Sequence, residues 1–197
     1  METRWTLQPE IVHVFQESLD RANDDTPEEW LEILYKESFP GVYDVRKVHD
    51  LELQRVGVDT VLILKNGKRI YIDEKVRGRD YGDVLLEEFS IWRDYPMLNG
   101  AYVGPKQPAR DWQGVLTPGW LCGEKQTDYI AYIIKPSQQV YFLPFFMLQR
   151  AWMRHYPRWL YNYGRIPVPN KGYTTTNIAV PIDVLYAAMA ESYRIAA

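Results

Sequence analysis

Two aspartates and a lysine carry the spacing with most chemical promise: Asp59 in Gly57-Val58-Asp59, and Asp73 and Lys75 in Ile70-Tyr71-Ile72-Asp73-Glu74-Lys75. Carboxylate oxygens are hard donors that hold Mg²⁺ while leaving several of its waters in place. An ion held this way polarises a phosphoryl oxygen and generates hydroxide from bound water. An ammonium beside it orients that water and offsets the charge growing on the phosphate. Two acids and an amine are therefore the equipment of phosphodiester hydrolysis. The backbone carbonyl of Glu74 is a further candidate oxygen ligand.

The segments around these residues explain how they would meet. Val58, Thr60, Leu62 and Leu64 alternate with Asp59, Val61 and Ile63, and Arg69 to Val76 alternates again after Asn66-Gly67. Two alternating runs around an Asn-Gly step predict a β-hairpin. Alternate strand residues share a face, so Asp73 and Lys75 project together while Glu74 points away. Pairing brings Asp59, near the start of one strand, alongside the end of the other. The competing reading is a hairpin with a solvated salt bridge, which contributes little to stability.

An acid at the start of one strand, followed by acid-x-Lys on the next, resembles the PD-(D/E)XK nuclease superfamily. Asp59 matches the first acid, Asp73 the second and Lys75 the lysine, and the resemblance is most specific from Glu28 to Ile91. Val58 stands where the motif nominally has Pro, and the second acid is Asp rather than the commoner Glu. A one-residue bulge in the strand would bring Glu74 inward in place of Asp73. The resemblance implies a restriction endonuclease-like fold, Mg²⁺ or Mn²⁺ as cofactor, and DNA or RNA as substrate. It also implies a homodimer where both strands of a duplex are cut. Many members carry a helical Glu that reaches the metal. Glu37 is the best match, placed on the stripe of Trp30, Ile33 and Leu34; the alternative leaves it in water at the helix end.

Other residues are auxiliary candidates. Glu87, on an expected strand from Asp83 to Ile91, either stands beside the site or is solvated. Gln54 either positions a phosphate or caps a turn. His13, His49 and His155 lack metal-ligand spacing, and Cys122, the only cysteine, has no evident His partner and permits no intrachain disulfide. No glycine-rich phosphate loop is present, which argues against an ATP-driven enzyme.

Charge distribution says more about partners than the net charge of −3. Residues 1–128 hold 24 acids against 16 Lys and Arg, whereas Tyr129 to Ile182 has no acid at all. That second segment contains Lys135, Arg150, Arg154, Arg158, Arg165 and Lys171, interleaved with Trp152, Tyr156, Trp159, Tyr161 and Tyr163. Arg150, Arg154, Arg158, Arg165 and Lys171 are candidate nucleic-acid-binding residues, since arginines bind phosphates and exposed aromatics stack on unpaired bases. The alternative is a packed helix with aromatics in the core and arginine stems lying along it.

The rest of the chain frames the site. Ile11, Val14, Phe15 and Leu19 recur at helical spacing. A second helix begins at a capping box of Thr26, Pro27 and Glu29 and stops at Pro40-Gly41. Further strands are expected over Asp128–Ile134, Gln139–Leu143 and Thr174–Val180, with helices over Phe145–His155 and Ile182–Tyr193. The expectation is one α/β domain of mixed α+β type spanning 1–197, with helices flanking a central mixed sheet. The N-terminus lacks an apolar signal region, and the most apolar stretch, Gln139 to Leu148, is too short to span a bilayer. A soluble cytoplasmic protein without a membrane partner is expected. The sequence thus points to a metal-dependent nuclease. The alternatives are a catalytically silent PD-(D/E)XK-like binding or inhibitor protein of phage or plasmid type, whose acidic first part would suit a basic protein partner, and a nucleotide-processing hydrolase.

Overall fold

Apolar alternation and one Asn-Gly turn set the centre of the fold. The computed structural model describes residues 29–92, 97–98, 101–102, 116–123, 125–170 and 173–193. The expected first helix, the Thr26 and Pro27 cap and Lys171 lie outside them. Strands β1 (Val42–Lys47), β2 (Thr60–Leu64) and β3 (Arg69–Arg77) follow helix α1 (Glu29–Ser38), with the short helix α2 (Leu51–Arg55) between β1 and β2. Gly67 takes φ +81°, and the Asn66 side chain accepts from the Lys68 N–H at 3.0 Å, closing the turn. The hairpin pairs Thr60 with Ile72 and Leu62 with Ile70.

Strand β4 (Asp83–Trp92) leaves this sheet. Two-residue strands β5 (Met97–Leu98) and β6 (Ala101–Tyr102) and a three-residue β7 (Leu116–Pro118) precede β8 (Tyr129–Ile134) and β9 (Gln139–Pro144). Helix α3 (Phe145–Tyr163), β10 (Ile166–Asn170), β11 (Tyr173–Pro181) and α4 (Ile182–Tyr193) complete the order. The central sheet runs β1-β2-β3-β8-β9; β3 and β8 are parallel and the other neighbours antiparallel. A second sheet runs β10-β11-β4-β7. The fold is mixed α+β, with helices flanking a five-stranded mixed sheet.

That sheet separates two cores. On one face, Leu62, Ile72, Ala131 and Ile133 pack with Leu31, Tyr35 and Phe39 of α1 and its exit. On the other, Ile130, Tyr132 and Ile134 pack with Val84 and Leu86 of β4, Ile178 and Val180 of β11, and Leu148, Trp152, Leu185 and Met189 of the two C-terminal helices. Pairing of Asp73 with Ile130 and Lys75 with Tyr132 puts both site residues on this second face.

Three expectations need correction. The buried stripe of α1 is Leu31 and Tyr35, continuing to Phe39, while Ile33 is 50% exposed. Tyr35 reads as amphipathic, but it is fully buried because its hydroxyl finds Glu74. Helix α3 runs through Pro157 to Tyr163 instead of ending near His155. Proline removes one backbone donor, yet Leu148, Ala151, Trp152 and Trp159 anchor both sides of it in the core. The proline-punctuated segment after α3, outside every expected strand, is β10; as an edge strand it tolerates Pro167 and Pro169. Among the described residues no helix is long and apolar enough to cross a membrane.

Candidate functional site

The β2–β3 ladder ends at the site. Asp59 stands just before β2: its N–H donates to the Ile72 carbonyl at 2.8 Å, and its carbonyl accepts from Val48 N–H at 2.8 Å. Those bonds continue the sheet by one residue and leave the side chain at the mouth of the hairpin. There its Oδ2 accepts from the Glu74 N–H at 2.8 Å, and its carboxyl meets that of Asp73 at hydrogen-bonding range. Register between β3 and β8 is unbroken from Ile72 to Arg77, so no bulge turns Glu74 inward.

Asp73 is 1% exposed, and its two oxygens face two lysines. Lys75 Nζ donates to Oδ1, and Lys125 Nζ lies 3.5 Å from Oδ2. Burial alone would lower the Lys75 ammonium, but the carboxylates of Asp73 and Asp59 outweigh it and hold Lys75 above its ordinary value. Asp59 bears the opposite strain. Burial first and the Asp73 charge second push it up to about 6, against the pull of Lys75 and the Glu74 N–H.

This group opens onto a cleft of about 450 Å³ whose lining includes Arg55, Lys75, Glu87, Ser90, Trp120 and Lys125. Glu87 is therefore beside the site, as one of its two sequence readings had it. Its Oε1 accepts from the Ser90 hydroxyl and from the Trp120 N–H, the latter at 3.3 Å. Trp120 in turn sets its ring 5.8 Å from Lys75 Nζ. Gly119 makes this approach feasible: a Cβ there would sit 2.0 Å from the Glu87 carbonyl oxygen.

Other candidates fall elsewhere. The Glu74 side chain points through the sheet to the α1 face, where Oε1 accepts from Tyr35 at 2.8 Å and Thr60 at 2.7 Å, and Oε2 pairs with Lys47. Only its main chain remains beside the acids. Glu37 is exposed on α1, the helix packed on the opposite face from Asp73, and is not brought to the site. Its expected stripe was one position off, which explains the miss. Gln54 donates to the Val48 carbonyl at 2.8 Å, tying α2 to the end of β1.

The arginines divide. Arg165 is a core residue, 5% exposed, bonded to Glu88 through Nε at 2.5 Å and through its terminal nitrogen at 2.6 Å. Tyr156 and Thr176 also donate to Glu88, so Arg165 is committed to a buried network and corrected as a substrate contact. Arg154 pairs with Glu191 at 2.8 Å. Arg150 and Arg158 lie exposed along α3, with exposed Met153 between them and exposed Phe146 and Tyr161 to either side. Trp152 and Trp159 are core residues instead.

A metal would find few protein ligands here. Among the described residues no group of three or more His, Cys, Asp or Glu side chains is arranged to hold one. Asp59, Asp73 and the Glu74 main chain remain. Mg²⁺ is commonly held by one or two carboxylates, with waters and substrate phosphate filling the shell, so this oxygen set suits it. The raised Asp59 marks negative charge that a cation would relieve. Lys125, Arg55, Gly119 and Trp120 escaped the sequence reading because no local pattern ties them to Asp73. No protein-family model matches the sequence, and no curated protein and no solved structure matches it.

Proposed function

We propose that the chain is a Mg²⁺- or Mn²⁺-dependent phosphodiesterase acting on nucleic acid, with a restriction endonuclease-like arrangement of acids. The observation that carries this reading is the pair of buried aspartates meeting beside Lys75 at the mouth of an open cleft. Asp59 and Asp73 would hold the ion, with the Glu74 carbonyl next to them. When bound, it supplies Lewis-acid polarisation of the phosphoryl group and acidification of water. Lys75 orients the attacking water and meets charge developing on the phosphate from a fixed strand position. Glu87, through Ser90 and Trp120, fixes the wall that holds the Lys75 side chain.

Helix α3 would hold the substrate backbone. Gln149 of α3 donates to the Leu121 carbonyl at 3.1 Å, fastening the acid-free helix to the loop that borders the cleft. Arg150 and Arg158 supply positive charge along that helix, and Phe146 and Tyr161 supply exposed rings. One observation favours a silent binding protein instead: Asp73 already has two lysines of its own.

The test is cleavage of single-stranded and duplex DNA and RNA with Mn²⁺. Wild-type cleavage should fall on the order of 10³-fold in Asp73→Ala and about 10²-fold or more in Lys75→Ala. Cleavage that survives both changes, or is absent from the wild type, would favour the binding protein.

A further inference from the structure

Resting on this metal-dependent reading, we infer that Lys125 is a resident counter-cation: it competes with the divalent ion for Asp73 and yields the carboxylate when a phosphodiester draws its ammonium into the cleft. The case begins with how firmly the chain delivers it. Gly119 is pressed onto β4, where its N–H donates to the Glu88 carbonyl at 2.8 Å and a Cβ would collide with the Glu87 backbone. The Gln126 N–H donates to the Val56 carbonyl at 2.8 Å, holding the far side of the loop against the segment before Asp59.

Gly57 then leaves room for the lysine. It has φ +81°, and a Cβ there would lie 2.5 Å from Lys125 Cδ, 2.9 Å from its Nζ and 3.1 Å from Asp73 Oδ2. The Gly-x-Asp step thus does two things: it makes the turn into Asp59 and leaves the slot along which the Lys125 stem reaches Asp73. That stem is mostly covered, yet the residue also lines the cleft with Arg55.

The two lysines on Asp73 are not equivalent. Lys75 sits two residues along the same strand and donates directly to Oδ1. Lys125 stands 3.5 Å from Oδ2, an electrostatic neighbour at the outer limit of hydrogen bonding. Oδ2 is the oxygen such a lysine can give up. An ammonium and a divalent ion about 5 Å apart repel one another even in water-like surroundings enough to weaken ion binding about tenfold. A phosphodiester anion in the cleft offers the ammonium an alternative partner. By linkage, metal and substrate should then each tighten the other's binding.

Calorimetric titration of Mn²⁺ into the full chain tests this, with and without dimethyl phosphate, the smallest phosphodiester anion. Lys125→Met keeps the apolar stem over Gly57 and removes the charge, and thermal melting checks that it folds. It should bind Mn²⁺ about tenfold more tightly than wild type, while Lys125→Arg stays within about threefold. Dimethyl phosphate should tighten Mn²⁺ binding more in wild type than in Lys125→Met. A Lys125→Met protein that binds Mn²⁺ no more tightly than wild type overturns the competition, and equal enhancement by dimethyl phosphate overturns the hand-over. Mn²⁺ binding that Asp59→Asn and Asp73→Asn both leave unchanged would overturn the metal reading itself, a result separable from either.

Discussion

Strands β3 and β4 each carry two adjacent acids, and in each case the pleat sends one to the cleft side of its strand and one to the other side. Glu87 lines the cleft and Asp73 lies buried behind the lining residues Lys75 and Lys125, whereas Glu74 and Glu88 face packed side chains on the other side of their strands. The latter pair is satisfied by built-in donors. Glu74 has Tyr35, Thr60 and Lys47, and Glu88 has Arg165, Tyr156 and Thr176. Asp73 also has donors, Lys75 and Lys125, but it faces a second carboxyl as well, that of Asp59, which burial and then the Asp73 charge drive up to about 6. Glu74 and Glu88 meet only donors, whereas Asp73 and Asp59 set two carboxyls against each other, an arrangement of the kind that shifts pKa values at functional sites.

The largest effect expected from breaking this contrast is at Asp59. Asp59→Asn should lower Mn²⁺-dependent cleavage on the order of 10³-fold, since it removes a metal ligand. The same change should raise the melting temperature of the metal-free protein at pH 8, because it removes the repulsion with Asp73.

Next come the interior acids. Glu88→Ala or Arg165→Ala should destabilise the chain by about 3–5 kcal/mol in chemical denaturation, because either leaves a buried charge without its partner. Glu74→Ala should cost about 3 kcal/mol by orphaning Tyr35, Thr60 and Lys47.

Acidity sharpens the comparison. Asp59 is raised from 3.8 to about 6, so between those values the folded chain keeps a proton that the unfolded chain has lost. The associated stability is complete below about 3.8 and is lost as pH rises through about 6, a change of about 3 kcal/mol for an isolated shift of this size. Metal-free denaturation midpoints should fall over that window, and added Mn²⁺ should restore them only above it.

The smallest effects belong to the surface. Arg150→Ala and Arg158→Ala should each raise KM a few-fold and reduce the salt dependence of nucleic-acid binding by about one unit of log–log slope. Glu37→Ala should change neither cleavage nor binding.

What the sequence disclosed follows the range of its interactions. Asn66-Gly67 and strict alternation fix the hairpin and its register within twenty residues, so the meeting of Asp59, Asp73 and Lys75 is readable locally. Lys125 reaches Asp73 across 52 positions through a loop held by backbone bonds and a bare glycine, none of which has a periodic signature. Arg165 meets Glu88 across 77 positions, so an arginine in an acid-free aromatic segment looked like a phosphate ligand. On α1, Tyr35 falls outside the expected stripe for a related reason: its burial depends on a carboxylate from β3. Composition revealed the basic helix but not which arginines were already engaged.

If Asp59 and Asp73 jointly hold a divalent ion, anomalous diffraction from crystals soaked in Mn²⁺ will show it. One peak is predicted within about 2.2 Å of a carboxylate oxygen from each aspartate, beside the Glu74 carbonyl, with the remaining ligands water. Mn²⁺ bound elsewhere, or an empty position between the two acids at saturating Mn²⁺ above pH 7, would contradict it.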